Sequence, residues 1–377
     1  MKLLILAEQF PFTPDGDFRG GVEARTYFAA LALSSEHEVT VLSTNERSRT
    51  QSPLQGIEVL RVGPARSSVG KAGFLKRTQF FLAALKTASR LSFDAVEGTN
   101  HLTYELAIRL AKQKKIPAYA TYHDLWIGEW PRQFGWLRGL FGNWSEKRTL
   151  RYPWKKILAV STVTRAKLIQ HGVPADRIAV VPNGVPTDHL PAKTERADRP
   201  SLVYVGRLVS YKRVDDLITA VAALRESIPT ILLHIVGTGP ERTALDARVH
   251  RLGLEENVVF HGFVPRLMDV LELVAQCHAL CLPSTLEGFG LVTIEAMAVG
   301  TPYVATDIPP TVEVTQNGIG GILYPPGSID DLTSGLRAIV SDRSYGDQLG
   351  LAGKAFVLKE YDWQRIGEHL RSVYRAN

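Results

Sequence analysis

The sequence predicts an α/β protein made of two parallel, doubly wound sheets, and three observations carry that expectation. In both halves, short apolar or β-branched runs alternate with stretches of helical periodicity, the pattern of parallel strands joined by crossover helices. Between the halves, Pro186 to Pro200 reads PTDHLPAKTERADRP, a polar segment with three prolines and no periodic face, which marks a linker. A chain of 377 residues that is 45% hydrophobic is long enough to bury two cores of ordinary size. The expected organisation is a Rossmann-like domain over 1–185, a linker over 186–200 and a second Rossmann-like domain over 201–359.

In the first domain, strands are expected at Lys2 to Ala7, Glu38 to Ser43, Ile57 to Val62, Asp94 to Glu97, Ala118 to Tyr122, Ile157 to Val160 and Ile178 to Val181. Helical patterns lie between most of them, for instance Val22 to Leu33 and Leu102 to Lys112. Ligands of such sheets gather outside the carboxyl ends of the strands. Three loops there draw notice. The first strand is followed by EQFPFTPDGDFRGGVE, in which Gly20 and Gly21 open a helix and could approach a phosphate or an acceptor. The fifth is followed by His123 and Asp124, and the seventh by Pro182, Asn183, Gly184 and Val185.

The second domain starts a new series at Leu202 to Val205, with further strands at Ile231 to Val236, Val258 to Phe260, Ala279 to Leu282 and Tyr303 to Ala305. Its helices are expected at Val214 to Arg225, Glu241 to Leu252, Leu267 to Ala275 and Ile329 to Val340. Two similar units on one linker imply a cleft between them.

Composition narrows the function classes. The N-terminal KLLILA is too short for a signal segment, and no run reaches the roughly 18 apolar residues of a membrane span, so a cytoplasmic location, or a peripheral one at the inner face of the membrane, is expected. Cys277 and Cys281 bracket the start of a strand with His278, too few ligands for a zinc site. No nucleic-acid partner is expected. From Met1 to Val185 there are 26 Lys and Arg against 15 Asp and Glu, a balance of +11, while the remainder has 18 against 23, a balance of −5. Such asymmetry points to an anionic surface or acceptor facing the first half.

The most informative stretch is Pro283 to Thr306, PSTLEGFGLVTIEAMAVGTPYVAT. Glu287 falls in the loop after a buried strand. Gly288, Phe289 and Gly290 then turn the chain into a short helix whose first turns carry Glu295. Glycines let the backbone approach a ligand, and the unpaired N–H groups of a helix start favour an anion such as a diphosphate. Glu295 repels phosphate but can accept hydrogen bonds from a pair of sugar hydroxyls. Upstream, YVGRLVSYKR places Arg207 and Lys212, two cations, just after a strand and so at the carboxyl end of the second sheet.

The full string PSxxEGFGLVxxEAMAxGxPxVAT resembles the E(x7)E motif of the retaining glycosyltransferases of family 4, which have the GT-B fold and use nucleotide sugars. The resemblance implies that Glu287 contacts hydroxyls of the donor sugar, that Glu295 binds the ribose, and that Gly288, Phe289, Gly290 and Leu291 belong to the donor site. The family's GRL...K pattern matches Arg207 and Lys212 and implies that both hold the diphosphate. In the family the loops IVGTGPER, with Gly237 and Gly239, and FHGFV, with Phe263 and Val264, line the base. A histidine at the position of His123 lies beside the transferred sugar, orienting it without acting as a covalent nucleophile. The last helix of the fold crosses back onto the first domain, a role matched by about 360–377, where Trp363, Ile366, Leu370 and Tyr374 have helical spacing.

Two departures stand out. The family's NGVD becomes Asn183, Gly184, Val185 and Pro186, so no aspartate role is carried over. Pro309 and Pro310 replace a glycine pair before Glu313, which predicts a stiffer loop there. No DxD motif is present, so neither a cofactor nor a required metal is implied, the cations taking over the metal's electrostatic role.

The resemblance therefore implies transfer of a hexose or related sugar from a nucleoside diphosphate to a hydroxyl of a glycan or lipid-linked acceptor. A nucleotide-sugar epimerase or hydrolase, a catalytically silent nucleotide-sugar binder and a phosphorylase are the alternatives. An acceptor at an anionic membrane surface is expected from two clusters. Arg61, Arg66, Lys71, Lys76, Arg77, Lys86 and Arg90 lie among Phe74, Leu75, Phe80, Phe81 and Leu82, with no acid between Arg61 and Arg90. Trp126, Trp130, Trp136, Trp144 and Trp154 interleave with Arg132, Arg138, Lys147, Arg148 and Arg151.

Overall fold

The apolar runs of the first half pair into one sheet and those of the second half into another. The computed structural model describes residues 1–14, 17–46, 54, 56–66, 74–191 and 195–375. The chain divides into one unit of Met1–Asn183 with Gln364–Asn377 and a second of Gly184–Trp363.

In the first unit, β1 (Lys2–Leu6), β2 (Glu38–Glu46), β3 (Ile57–Arg66), β4 (Ala95–Gly98), β5 (Ala118–Tyr122), β6 (Lys156–Ala159) and β7 (Ile178–Val180) form a sheet in the order β3-β2-β1-β4-β5-β6-β7. All its pairings are parallel, Leu3 for example facing Val39 on one side and Ala95 on the other. Strands covered on both faces bury nearly every side chain, as β1 does beyond Lys2 and β5 does along its whole length, with the Thr121 hydroxyl donating to Glu97. The helices are α1 (Gly21–Ser34), α2 (Phe74–Ser89), α3 (His101–Lys114), α4 (Trp130–Phe134), α5 (Trp136–Leu150) and α6 (Thr162–Gln170). Asn100 starts α3 with a reciprocal cap, accepting from the Thr103 N–H while the Thr103 hydroxyl accepts from the Asn100 N–H.

The second unit holds β8 (Ser201–Val205), β9 (Leu232–Val236), β10 (Val258–Gly262), β11 (Ala279–Leu282), β12 (Tyr303–Thr306) and β13 (Gly321–Tyr324), all parallel in the order β10-β9-β8-β11-β12-β13. Around it lie α7 (Val214–Arg225), α8 (Arg242–Arg251), α9 (Leu267–Gln276), α10 (Leu291–Ala298), α11 (Pro309–Val314), α12 (Ile329–Ser341) and α13 (Arg343–Glu360). The final helix, α14 (Trp363–Arg375), belongs to the first unit from Gln364 onward. There Ile366, Leu370 and Tyr374 are buried, and the Tyr374 hydroxyl donates to Glu97 Oε2 at 2.6 Å.

Two details differ from expectation. The segment read as a linker is largely fastened to the second unit. Val185 bridges Asp362, Arg196 pairs with Asp347 at 2.7 Å, and the Arg199 guanidinium donates to the Thr230 and Glu256 carbonyls. The units therefore divide at Asn183, and 192–194 lie outside the described residues. Pro309 and Pro310 stiffen no loop. They open α11, where a first turn has no use for their missing N–H groups.

Candidate functional site

In the second unit the strand order reverses between β8 and β11, so the crevice of the sheet opens at the loops that follow them. These loops are laced together: the Tyr211 carbonyl accepts from the Thr285 N–H at 2.9 Å and from its hydroxyl at 3.2 Å. The Lys212 ammonium donates to Glu287 Oε1 at 2.5 Å, with side chains only 13% and 10% exposed. Arg207 is exposed at the mouth of the same loop and donates to the Tyr211 hydroxyl at 2.6 Å. The Tyr204 hydroxyl, rising from β8, holds the Arg207 carbonyl at 2.9 Å.

Past Glu287 and Gly288, Phe289 is buried edge-on against Tyr361, and Gly290 turns the chain through a left-handed conformation (φ 87°) into α10. Glu295 lies in the second turn of that helix, following Leu291. Its carboxyl, raised by burial to about 7, has no hydrogen-bond or ion-pair partner among the described residues. A carboxylate left this way suits a ligand that brings its own donors.

The loops after β9 and β10 flank this crevice in the same unit. The Val236 and Thr238 carbonyls accept from Gly206 and Leu208, and Gly237 N–H donates to the Gly262 carbonyl at 2.7 Å. A Cβ on Gly237 would lie 1.9 Å from the Gly206 carbonyl oxygen, and one on Gly239 2.1 Å from that of Leu208. These glycines therefore let two loop backbones touch. Phe263 leaves a large part of its ring exposed beside partly buried Val264.

The first unit gathers a different set at the ends of β1, β4 and β5. His123 follows β5. Burial and then the Arg25 charge hold its imidazole down at about 3, against a smaller opposing hydrogen bond to the Thr99 backbone. Burial thus favours the neutral ring, and its Nε2 is buried without a partner among the described residues. Arg25 is buried in α1 and donates to the Pro182 carbonyl at 2.7 Å and to Asn183 Oδ1 at 3.1 Å. Arg25, Glu97, Thr99 and Thr121 line a small cavity. Gly20 and Gly21 do lead into α1, but Glu23 occupies its first turn and accepts from the Arg19 N–H, which weighs against a phosphate there. The structure leaves the two glycines exposed, with nothing within 4 Å of a Cβ on Gly20.

Residues 19–189 match the family described as Glycosyltransferase Family 4, and residues 187–356 match Glycosyl transferases group 1. A glycogen synthase of Mycobacterium tuberculosis is 30% identical over 293 residues, 75% of this chain and 69% of that protein. The chain is a family 4 glycosyltransferase. An uncharacterised glycosyltransferase of Methanocaldococcus jannaschii matches it over 363 residues at 24% identity, 90% of each chain. The glycosyltransferase shares its fold with sucrose-phosphate synthase of Thermosynechococcus elongatus (TM-score 0.82, 22% identity, 100% and 99% of the two chains). It also shares it with Anabaena HepE in complex with UDP-glucose (TM-score 0.79, 19% identity, 100% of each). The fold is GT-B.

Sequence reasoning missed Arg25 and Glu97. Both carried a signal, since each is a charge placed where the pattern demands apolar burial: Arg25 on the inner face of α1 and Glu97 within the wholly buried β4. The two basic and aromatic clusters of the glycosyltransferase are only partly at its surface. Arg61 donates to the Phe10 and Pro11 carbonyls and stacks on Phe12, Arg77 pairs with Glu8 at 3.3 Å, and Phe80 is core. Lys71 lies outside the described residues. Trp154 is core, with its indole N–H donating to the Thr149 carbonyl, while Trp126 and Trp130 are partly buried against each other. Cys277 and Cys281 are buried thiols raised by burial, and among the described residues no group of three His, Cys, Asp or Glu is placed to hold a metal. No described helix is long and apolar enough to cross a membrane.

Proposed function

We propose that the enzyme transfers a hexose from a nucleoside diphosphate sugar to an acceptor hydroxyl with retention at the anomeric carbon. The observation that carries this reading is the Lys212–Glu287 pair at the switch point of the second sheet, with Arg207 beside it. Without ligand, each side chain of the pair neutralises the other. An arriving diphosphate draws Lys212 and Arg207, and the released Glu287 carboxylate then accepts from hydroxyls of the sugar. Glu295 takes the ribose hydroxyls, and the exposed ring of Phe263, with Val264 and the Gly237 and Gly239 loop, faces the base.

In the transfer, the acceptor oxygen bonds to the anomeric carbon as the bond to the diphosphate oxygen breaks. The electron pair leaves on that oxygen, which also takes the acceptor's proton, so attack and departure share one face. Arg207 and Lys212 stabilise the growing charge, and no divalent metal is required. His123, neutral, offers its polar edge to a sugar hydroxyl. The acceptor is a glycan or lipid-linked sugar at an anionic membrane surface. Support comes from the basic first half and from relatives such as the GDP-mannose-dependent phosphatidylinositol monomannoside mannosyltransferase of Mycolicibacterium smegmatis, 30% identical over 232 residues, 57% of this chain and 60% of that protein.

Thermal shifts with UDP-, GDP- and ADP-sugars name the donor, since a ligand that binds the native state raises the melting temperature. NMR of the product then reads the anomer. Stabilisation by one nucleotide class and an unchanged anomeric configuration are expected. Release of free sugar regardless of acceptor would make the protein a hydrolase, and binding without turnover a silent binder.

A further inference from the structure

We propose that α5 is a docking helix by which the first unit seats on an anionic lipid surface. The inference deepens the acceptor reading above and rests on it only for its purpose, not for the binding itself. At 100° per residue, Trp136, Leu137, Leu140, Phe141 and Trp144 fall on one arc of about 140°. They are 70%, 76%, 46%, 65% and 56% exposed. On the opposite arc Gly139, Gly142, Glu146, Thr149 and Leu150 are buried. A Cβ on Gly139 would lie 2.3 Å from Pro131 Cα and one on Gly142 2.6 Å from the Trp130 ring, so α4 packs directly on the α5 backbone. The apolar arc cannot roll inward.

Charge identifies what covers it. Lys147, Arg148 and Arg151 continue the exposed arc at its C-terminal end and Arg138 flanks it; the Arg148 guanidinium lies 5.6 Å from the Trp144 ring and pairs with Glu105 of α3 at 3.3 Å, which leaves Lys147, Arg151 and Arg138 as the cations of the face. The one acid in α5, Glu146, points to the buried side. Two copies meeting face to face would bring these cations together without acids on that arc to match them. An anionic headgroup layer meets the cations, and its boundary with the acyl chains takes tryptophan and leucine side chains.

The buried side of α5 holds the loop that follows His123. Glu146 accepts from the Trp126 N–H at 3.1 Å and from the Trp130 indole N–H at 2.8 Å, and Asn143 Oδ1 accepts from the Gly128 N–H at 2.9 Å. Docking helix and acceptor-side loop are thus one packed piece. An acceptor anchored in the same lipid layer is delivered next to that loop.

The test uses co-sedimentation of the full chain with phosphatidylglycerol–phosphatidylcholine vesicles and with pure phosphatidylcholine vesicles. The wild type is expected to bind the anionic vesicles at low salt and to weaken at least about tenfold on neutral vesicles or at high salt. Leu137→Ser/Phe141→Ser, two exposed positions, should lose at least about tenfold in vesicle affinity. Its nucleotide-sugar affinity, measured by calorimetry, should be unchanged, which shows that the variant is folded and keeps the donor reading separate. Absence of wild-type binding at low salt, or undiminished binding by the double variant, overturns the proposal. So does a wild-type dimer in sedimentation velocity that the double variant abolishes, which would assign the face to a second copy.

Discussion

The loops of both units carry a close ion pair, Lys212 with Glu287 in the second and Lys167 with Asp124 at 2.7 Å in the first, but they differ in how closely their backbones pack. In the second, backbones touch through Gly237 and Gly239, and the charges are paired close to the crevice, Lys212 with Glu287. In the first, Arg25 and Glu97 are buried among hydroxyls and carbonyls, a Cβ on Gly20 would meet nothing within 4 Å, and an apolar helix face is left bare. A site that binds the same kind of anion in every turnover gains from rigid, pre-paired charge. On the function proposed above, a unit that receives a bulky acceptor would gain from an outer surface that places it.

The contrast breaks first at Lys212. Lys212→Ala should cut turnover by roughly one to three orders of magnitude through lost transition-state stabilisation, with the protein still folded by circular dichroism. Near-normal turnover would remove Lys212 from the site. Next come the glycines. Gly239→Ala forces a Cβ against the Leu208 carbonyl and should cost about 1–3 kcal/mol in urea unfolding, whereas Gly20→Ala should stay within about 0.5 kcal/mol. Equal costs at the two positions would erase the distinction between the loops.

A smaller effect follows from Glu295. Burial raises its folded-state carboxyl to about 7, so its contribution to stability is complete below the ordinary carboxylate range and is lost as pH rises through about 7. Ribose hydroxyls favour the ionised form, so nucleotide-sugar affinity should climb about tenfold between pH 6 and 8 and then level off. Calorimetry across that range checks it, and the same slope in Glu295→Gln would assign the titration elsewhere. Smallest of all is the response to chelation: excess EDTA should leave the rate within about twofold, far from the several kcal/mol a catalytic metal supplies. Complete loss restored by Mg²⁺ or Mn²⁺ would contradict the fixed-cation account.

How much was legible in the sequence follows the same division. The second unit's crevice was readable because its residues lie in contiguous strings, Gly206 to Lys212 and Pro283 to Thr306, that each span one strand end and one turn. The Lys212–Glu287 pairing was not, since it joins positions 75 apart through a fold that periodicity alone cannot register. Helix α13 escaped notice because Gly346, Gly350 and Gly353 lower its helix propensity. They are there to let it approach, with a Cβ on Gly350 meeting the Gly300 carbonyl oxygen at 2.1 Å. Strand β13 is four residues in a run of glycines, and Gly321 packs against the Tyr303 ring and carbonyl. In the first unit Arg25, Glu97 and Tyr374 come from α1, β4 and α14, so no local pattern could join them. The basic clusters misled because cationic residues such as Arg61 serve carbonyls inside the unit as readily as a surface outside it.

The central claim is that the donor's diphosphate is held by Arg207 and Lys212 of the second unit, with Glu287 released to the sugar. Calorimetric titration of the stabilising nucleotide sugar into the wild type, Lys212→Ala, Arg207→Ala and Arg138→Ala tests it most directly. The account predicts at least about a tenfold loss of affinity for each of the first two variants and none for Arg138→Ala, whose charge lies on α5. Wild-type affinity in Lys212→Ala and Arg207→Ala, or an equal loss in Arg138→Ala, would contradict it.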